Sequence, residues 1–260
     1  MSGHGTRIRI PAADGQILLL DWLEGDEQRP SLVFLCGFQS NFNGEKAECV
    51  VEYARRAGLG CLRFDYRGHG GSGGDFHDYT PEDWLEDALA AISTLGDRPL
   101  ILVGSSMGAW LAMHAALRLP PRQITGLLTI AAATDFPTRI LEPGLGPLER
   151  QKLAVQGWFF RPSPYGGARI NQSMLAAGRR MKLLEAPIPI LCPVRLLHGS
   201  ADKTAPWQLS ADTLAALQSS DARLILIKDG DHRLSDAKSL QLIQSSLDDL
   251  LAADRCNGRD

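Results

Sequence analysis

The pentapeptide Gly104-Ser105-Ser106-Met107-Gly108 constrains this chain more than any other stretch. Leu100-Ile101-Leu102-Val103 precedes it as a short apolar run, and Trp110-Leu111-Ala112-Met113 follows inside a helix-length pattern. Strand, Gly-x-Ser-x-Gly, helix is the order in which a serine rides a sharp, strained turn with its hydroxyl above the end of a sheet. The flanking glycines are required because side chains there would collide with the neighbouring strand or helix. Ser106 alone has glycine two positions away on both sides, so it is the expected nucleophile and Ser105 a small packing residue. The helix opening at Met107 turns backbone N–H groups toward negative charge that develops beside the serine.

A nucleophilic serine needs a base, and the base needs an orienting acid. Val194-Arg195-Leu196-Leu197-His198 reads as a buried strand and is followed by Gly199-Ser200-Ala201-Asp202. Arg223-Leu224-Ile225-Leu226-Ile227 reads as a later strand, with Asp229-Gly230-Asp231-His232 just beyond it. Both loops fall after strands, where the ends of a parallel sheet converge on one crevice. Asp202 is expected as the acid because Asp229 and Asp231 crowd the histidine on its own loop. His232 is expected as the base because it follows the last apolar strand in a polar turn. His198 reads as a support for the Asp202 loop, His114 as a packed core histidine, and His69 and His77 as loop residues near the site.

The segments RFDYRGHGGSGG, ILVGSSMGAWLAMHAA, CPVRLLHGSADKTAPW and KDGDHRLSD, with the order Ser106, Asp202, His232, resemble the α/β-hydrolase superfamily from about residue 30 to about residue 250. Within it, Cys192-Pro193 leading into RLLHG, Pro206-Trp207 after the acid and Asp231-His232-Arg233 are most similar to the branch of mitochondrial palmitoyl-protein thioesterases that also cleave acyl glucuronides. The resemblance implies S-palmitoyl-cysteine or acyl-glucuronide substrates. Two backbone N–H groups should hold the oxyanion. One belongs to Met107. The other falls to Phe38, in Cys36-Gly37-Phe38, where superfamily members often carry His-Gly before an apolar residue.

Short apolar runs alternate with helix-length patterns, which predicts a mostly parallel, doubly wound sheet behind an N-terminal hairpin of Ile8 to Ile10 and Ile17 to Leu23. The division expected is a core of residues 1–133 and 194–260 with a small helical lid at 134–193. That insertion has prolines at 137, 143, 147, 162, 164, 187, 189 and 193, and aromatics Trp158, Phe159, Phe160 and Tyr165, without a strand pattern. Trp158 and Phe159 are the expected substrate contacts. The insertion also carries eight basic residues (Arg139, Arg150, Lys152, Arg161, Arg169, Arg179, Arg180, Lys182) against four acidic ones (Asp135, Glu142, Glu149, Glu185), in a chain of net charge −3. A basic rim at the entrance would suit an anionic leaving group, whereas solvated helix faces would not act on substrate.

Other classes fit less well. The acidic balance opposes general nucleic-acid binding, and no apolar run approaches the length of a bilayer span. Gly68-His69-Gly70-Gly71-Ser72-Gly73 fits the dinucleotide fingerprint, but the next helix starts only near Pro81. Five scattered cysteines lack metal or disulfide spacing and suit a reducing compartment. No metal or cofactor is therefore expected, and the N-terminus suggests a cytoplasmic protein or a processed organellar form. The expected substrate is a small acyl ester or thioester, or an S-acylated protein. Carbon–carbon bond hydrolysis on the same fold is the alternative chemistry, and a non-catalytic receptor or scaffold the alternative class. Oligomeric state is not legible.

Overall fold

The computed structural model describes residues 5–162 and 167–256, which leaves Pro164 and Tyr165 outside the described residues. The N-terminal hairpin forms as β1 (Thr6–Pro11) and β2 (Ile17–Leu23), paired antiparallel. Then come β3 (Ser31–Leu35), α1 (Glu45–Ala57), β4 (Cys61–Phe64), α2 (Pro81–Ser93), β5 (Leu100–Ser105), α3 (Met107–Arg118) and β6 (Ile124–Ile130). Local chemistry sets these limits. Gly58 ends α1 in the left-handed region at φ 70°, its N–H turned back to Ala54 and Arg55. Pro81 opens α2, and the Asp83 carboxylate reaches back to the Thr80 N–H at 2.8 Å.

After the insertion the chain returns as β9 (Val194–Gly199), α6 (Gln208–Ala216), β10 (Ala222–Ile227) and the long α7 (Ala237–Cys256). Eight strands make one sheet in the order β1-β2-β4-β3-β5-β6-β9-β10. From β4 to β10 every pairing is parallel; β1 and β2 supply the antiparallel edge. Strands β3, β4, β5, β6 and β9 are buried along their whole length, as near-continuous apolar runs require. Helices α1 and α7 pack together, joined by Tyr53 Oη to Asp248 at 2.6 Å, and α2 packs on α3.

This order has one functional consequence. From β3 the chain moves outward to β4, then crosses back to β5 on the other side of β3. The strand order therefore reverses between β3 and β5, and a crevice opens at their carboxyl ends.

Between β6 and β9 the insertion holds a short π-helical turn (Pro137–Leu141), α4 (Pro147–Gln156) and α5 (Gln172–Arg180). It also has strands, contrary to the sequence expectation. β7 (Trp158–Arg161) and β8 (Ala168–Asn171) pair antiparallel as a separate ribbon. Four-residue strands are too short to show an alternating pattern, and their pairing exists only once the turn brings them together.

Candidate active site

Ser106 stands between the end of β5 and the start of α3 with φ 56° and ψ −119°, a backbone conformation unusual for a residue with a side chain. Its N–H donates to Ile130 O at 2.9 Å, and its own carbonyl accepts from Ala133 N at 3.2 Å, which holds the turn against β6. The glycines are required by contact. A Cβ on Gly104 would lie 2.4 Å from the Ala109 Cα, and one on Gly108 2.2 Å from the Leu35 carbonyl oxygen. Backbone from α3 thus closes on β5 on one side and on the end of β3 on the other.

The structure brings the three predicted side chains into one line. Ser106 Oγ lies 3.0 Å from His232 Nε2, and His232 Nδ1 lies 2.7 Å from Asp202 Oδ2. With Nδ1 against a carboxylate, the ring carries its proton there and Nε2 is left to accept from the serine hydroxyl. The Asp202 side chain is fully buried, yet its carboxyl is held well below the usual range. Burial would raise it, but hydrogen bonds from His198 and His232, the His232 charge and the Ala205 N–H outweigh that cost. His198 is also fully buried. Its Nε2 lies 3.1 Å from Asp202 Oδ2 and 3.0 Å from Ala205 O, and its Nδ1 lies 2.7 Å from Ser210 Oγ. Asp231 instead caps its own turn, accepting from the Arg233 and Leu234 N–H groups.

Met107 is the first residue of α3, so its N–H has no intrahelical acceptor, and Gly37 approaches the Ser106 side chain from the loop after β3. Phe38 follows, its ring edge-on to Phe76 at 4.9 Å and 5.1 Å from Phe136. Superfamily members often have a histidine where this chain has Cys36, but another histidine orders the loop here. His69 Nε2 accepts from the Gln39 N–H at 3.3 Å, with Nδ1 on Arg67 O at 3.2 Å. Packed against Phe76 and Trp84, His69 is pushed down to about 4 by burial and stays neutral, as an acceptor must. Gln39 itself takes φ 55°, and its side-chain amide donates to Gly167 O of the insertion at 2.8 Å. In the sequence His69 reads only as a loop residue near the site, and nothing marks Gln39. A partnership between residues 30 positions apart has no local signature.

The cavity at Ser106, of about 520 Å³, is lined by the segments 36–41 and 43–47, by Ser105 and by His232, Arg233 and Ser235. Trp158 and Phe159 are not among its walls. Phe159 is 3% exposed inside the insertion, and Trp158 is covered by the Arg169 guanidinium at 4.3 Å from its ring. None of the insertion's eight basic residues lines the cavity either, and three of them are paired with carboxylates. Arg179 pairs with Glu142 at 2.7 Å, Arg180 with Glu82 of α2 at 2.6 Å, and Lys182 with Glu185 at 2.6 Å. Among the described residues, no group of three or more His, Cys, Asp or Glu side chains could hold a metal ion. None of the described helices is long and apolar enough to cross a membrane.

A serine at a strained strand-to-helix turn on a doubly wound sheet defines a class, and the comparison with known families agrees. The chain belongs to the alpha/beta hydrolase family, whose profile matches residues 32–240, and it is a hydrolase. Within the family it is closely related to the branch of mitochondrial palmitoyl-protein thioesterases. Palmitoyl-protein thioesterase ABHD10, mitochondrial, of Pongo abelii is 38% identical over 226 residues, 85% of this chain and 73% of that protein. The solved structure of alpha/beta hydrolase domain-containing protein 10 from mouse matches with a TM-score of 0.87 at 34% identity, over 95% of this chain and 99% of that one. A putative hydrolase from Agrobacterium vitis S4 matches with a TM-score of 0.90 at 33% identity, over 96% and 98%.

Proposed function

We propose that the protein hydrolyses acyl esters and thioesters through an acyl-enzyme on Ser106, with S-palmitoyl-cysteine and acyl glucuronides as its substrate types. The carrying observation is the hydrogen-bonded line Ser106–His232–Asp202, at 3.0 and 2.7 Å. His232 takes the serine proton as Oγ attacks the acyl carbonyl, and Asp202 holds and stabilises the imidazolium. The Met107 and Phe38 N–H groups receive the oxyanion. Collapse of the tetrahedral intermediate passes the His232 proton to the alcohol or thiol as it leaves. Water, deprotonated by the same histidine, then clears the acyl group. The S-palmitoyl-cysteine type follows the relatives' branch and the acyl-glucuronide type the motif resemblance, and a polar wall beside His232 supports a leaving group with hydrogen-bonding functions. Residues 134–193 serve as the lid, clasped to the oxyanion loop through Gln39 and Gly167.

Ser106→Ala should keep the fold, lose labelling by a fluorophosphonate probe and lower ester turnover by about 10⁴-fold or more. Should Ser106→Ala retain turnover while Ser105→Ala loses it, the nucleophile is misplaced by one residue.

A further inference from the structure

None of the insertion's arginines lines the Ser106 cavity, so the positive charge there comes from a different source. Lys46, in the first turn of α1, and Arg233, next to His232, both line the cavity that holds Ser106. The Lys46 ammonium donates to the Arg233 carbonyl oxygen and so bridges the α1 wall to the loop that carries the base. An ammonium has three donors, so two N–H bonds remain for other acceptors. Burial first, and the Arg233 charge second, lower the Lys46 ammonium from its ordinary value; Glu45 and Asp231 pull the other way and do not restore it. An anion placed between the two cations would relieve both effects. Asn43 and Ser235 add hydrogen-bonding side chains to the same walls.

Direction follows from the chemistry. The leaving group receives its proton from His232 Nε2, so it departs on the His232 side of Ser106, where Arg233 follows directly in the chain. We propose that Lys46 and Arg233 form the subsite for a carboxylate carried on the leaving group, a few bonds from the scissile oxygen. This rests on the acyl-enzyme reading above and deepens it: the cavity selects its substrate by the charge of the departing alcohol or thiol.

The test compares two butanoyl esters with the same acyl group, one of 3-hydroxybenzoate and one of methyl 3-hydroxybenzoate, by kcat/KM. The wild type should favour the carboxylate. Lys46→Met and Arg233→Met should each lower the anionic-to-neutral ratio by about tenfold, the usual effect of losing one charge-assisted contact, and Lys46→Arg should restore most of it. A ratio unchanged in both variants, or the two esters falling together, would overturn the proposal and leave the pair as a clasp on the His232 loop. Failure of the wild type to cleave either ester, together with no fluorophosphonate labelling, would instead refute the acyl-enzyme reading and the subsite with it.

Discussion

Asp202 Oδ2 is shared by two histidines in different settings. His232 is partly open toward the cavity, whereas His198 has no exposed surface and its other nitrogen lies against Ser210. His198 therefore has the contacts of a brace that fixes the carboxylate held against His232 Nδ1. His69 is a second brace, on the loop after β3, and it leaves a measurable trace. Its folded-state value of about 4 lies below the ordinary imidazole value of ~6.5, so the unfolded chain binds the extra proton as pH falls between them. Stability from His69 is complete above pH ~6.5 and is lost toward pH ~4. Linkage puts the loss between pH 7 and pH 5 at about 2 kcal/mol. Urea unfolding at the two pH values should show a loss in His69→Gln that is smaller than in the wild type by about that amount, since His114, also lowered by burial, contributes to the loss in both proteins. Equal losses in both proteins would mean that His69 titrates freely.

The elbow depends on two elements closing over glycine. The 2.4 Å between a Cβ at Gly104 and the Ala109 Cα involves backbone, so no side chain can rotate to relieve it. Gly104→Ala should force β5 and α3 apart, at a cost of about 1–3 kcal/mol typical of overpacking, and should tilt Ser106 away from His232. Thermal unfolding and fluorophosphonate labelling would check this, with a lower Tm and labelling slowed at least about tenfold as the expected result. The 7-residue β6, fully buried, gives the elbow its other support through Ile130, and Ala133, just beyond its end, adds a second bond. The last helix, α7, carries Leu240, Ile243, Leu247 and Leu250 at helical spacing, and Ile243, Leu247 and Leu250 are fully buried against the sheet core.

For the molecule as a whole, the insertion is fixed by charge as well as by packing. Arg180 reaches Glu82 across 98 residues of chain, and Arg179 reaches Glu142 within the insertion. Both arginines are exposed, so these pairs tether without contributing much to stability. Arg179→Gln combined with Arg180→Gln should leave the anionic-to-neutral ester ratio within about twofold of the wild type at low and at high salt, since neither side chain lines the Ser106 cavity. A ratio that collapses in this double variant would return the basic rim to the entrance.

Residues near one another in the chain decided what could be read without coordinates. The glycines around Ser106, the apolar runs of β3, β5 and β9, and the caps of α1 and α2 act over a few positions. The N-terminal hairpin, β5, β9 and β10 stand within two residues of the limits expected, and the α/β-hydrolase fold follows from the alternation of such runs with helices. The chain order of Ser106, Asp202 and His232 was legible for the same reason: each follows a strand whose end faces the same crevice. The cavity walls were not. Lys46 meets Arg233 across 187 residues, Gln39 meets Gly167 across 128, and β7 finds β8 only inside a folded insertion. Composition placed the excess positive charge on the insertion, but which cations face Ser106 depends on where the crossover from β4 to β5 opens the sheet. Such contacts exist only after loop closure over long distances, and neither periodicity nor local propensity encodes them.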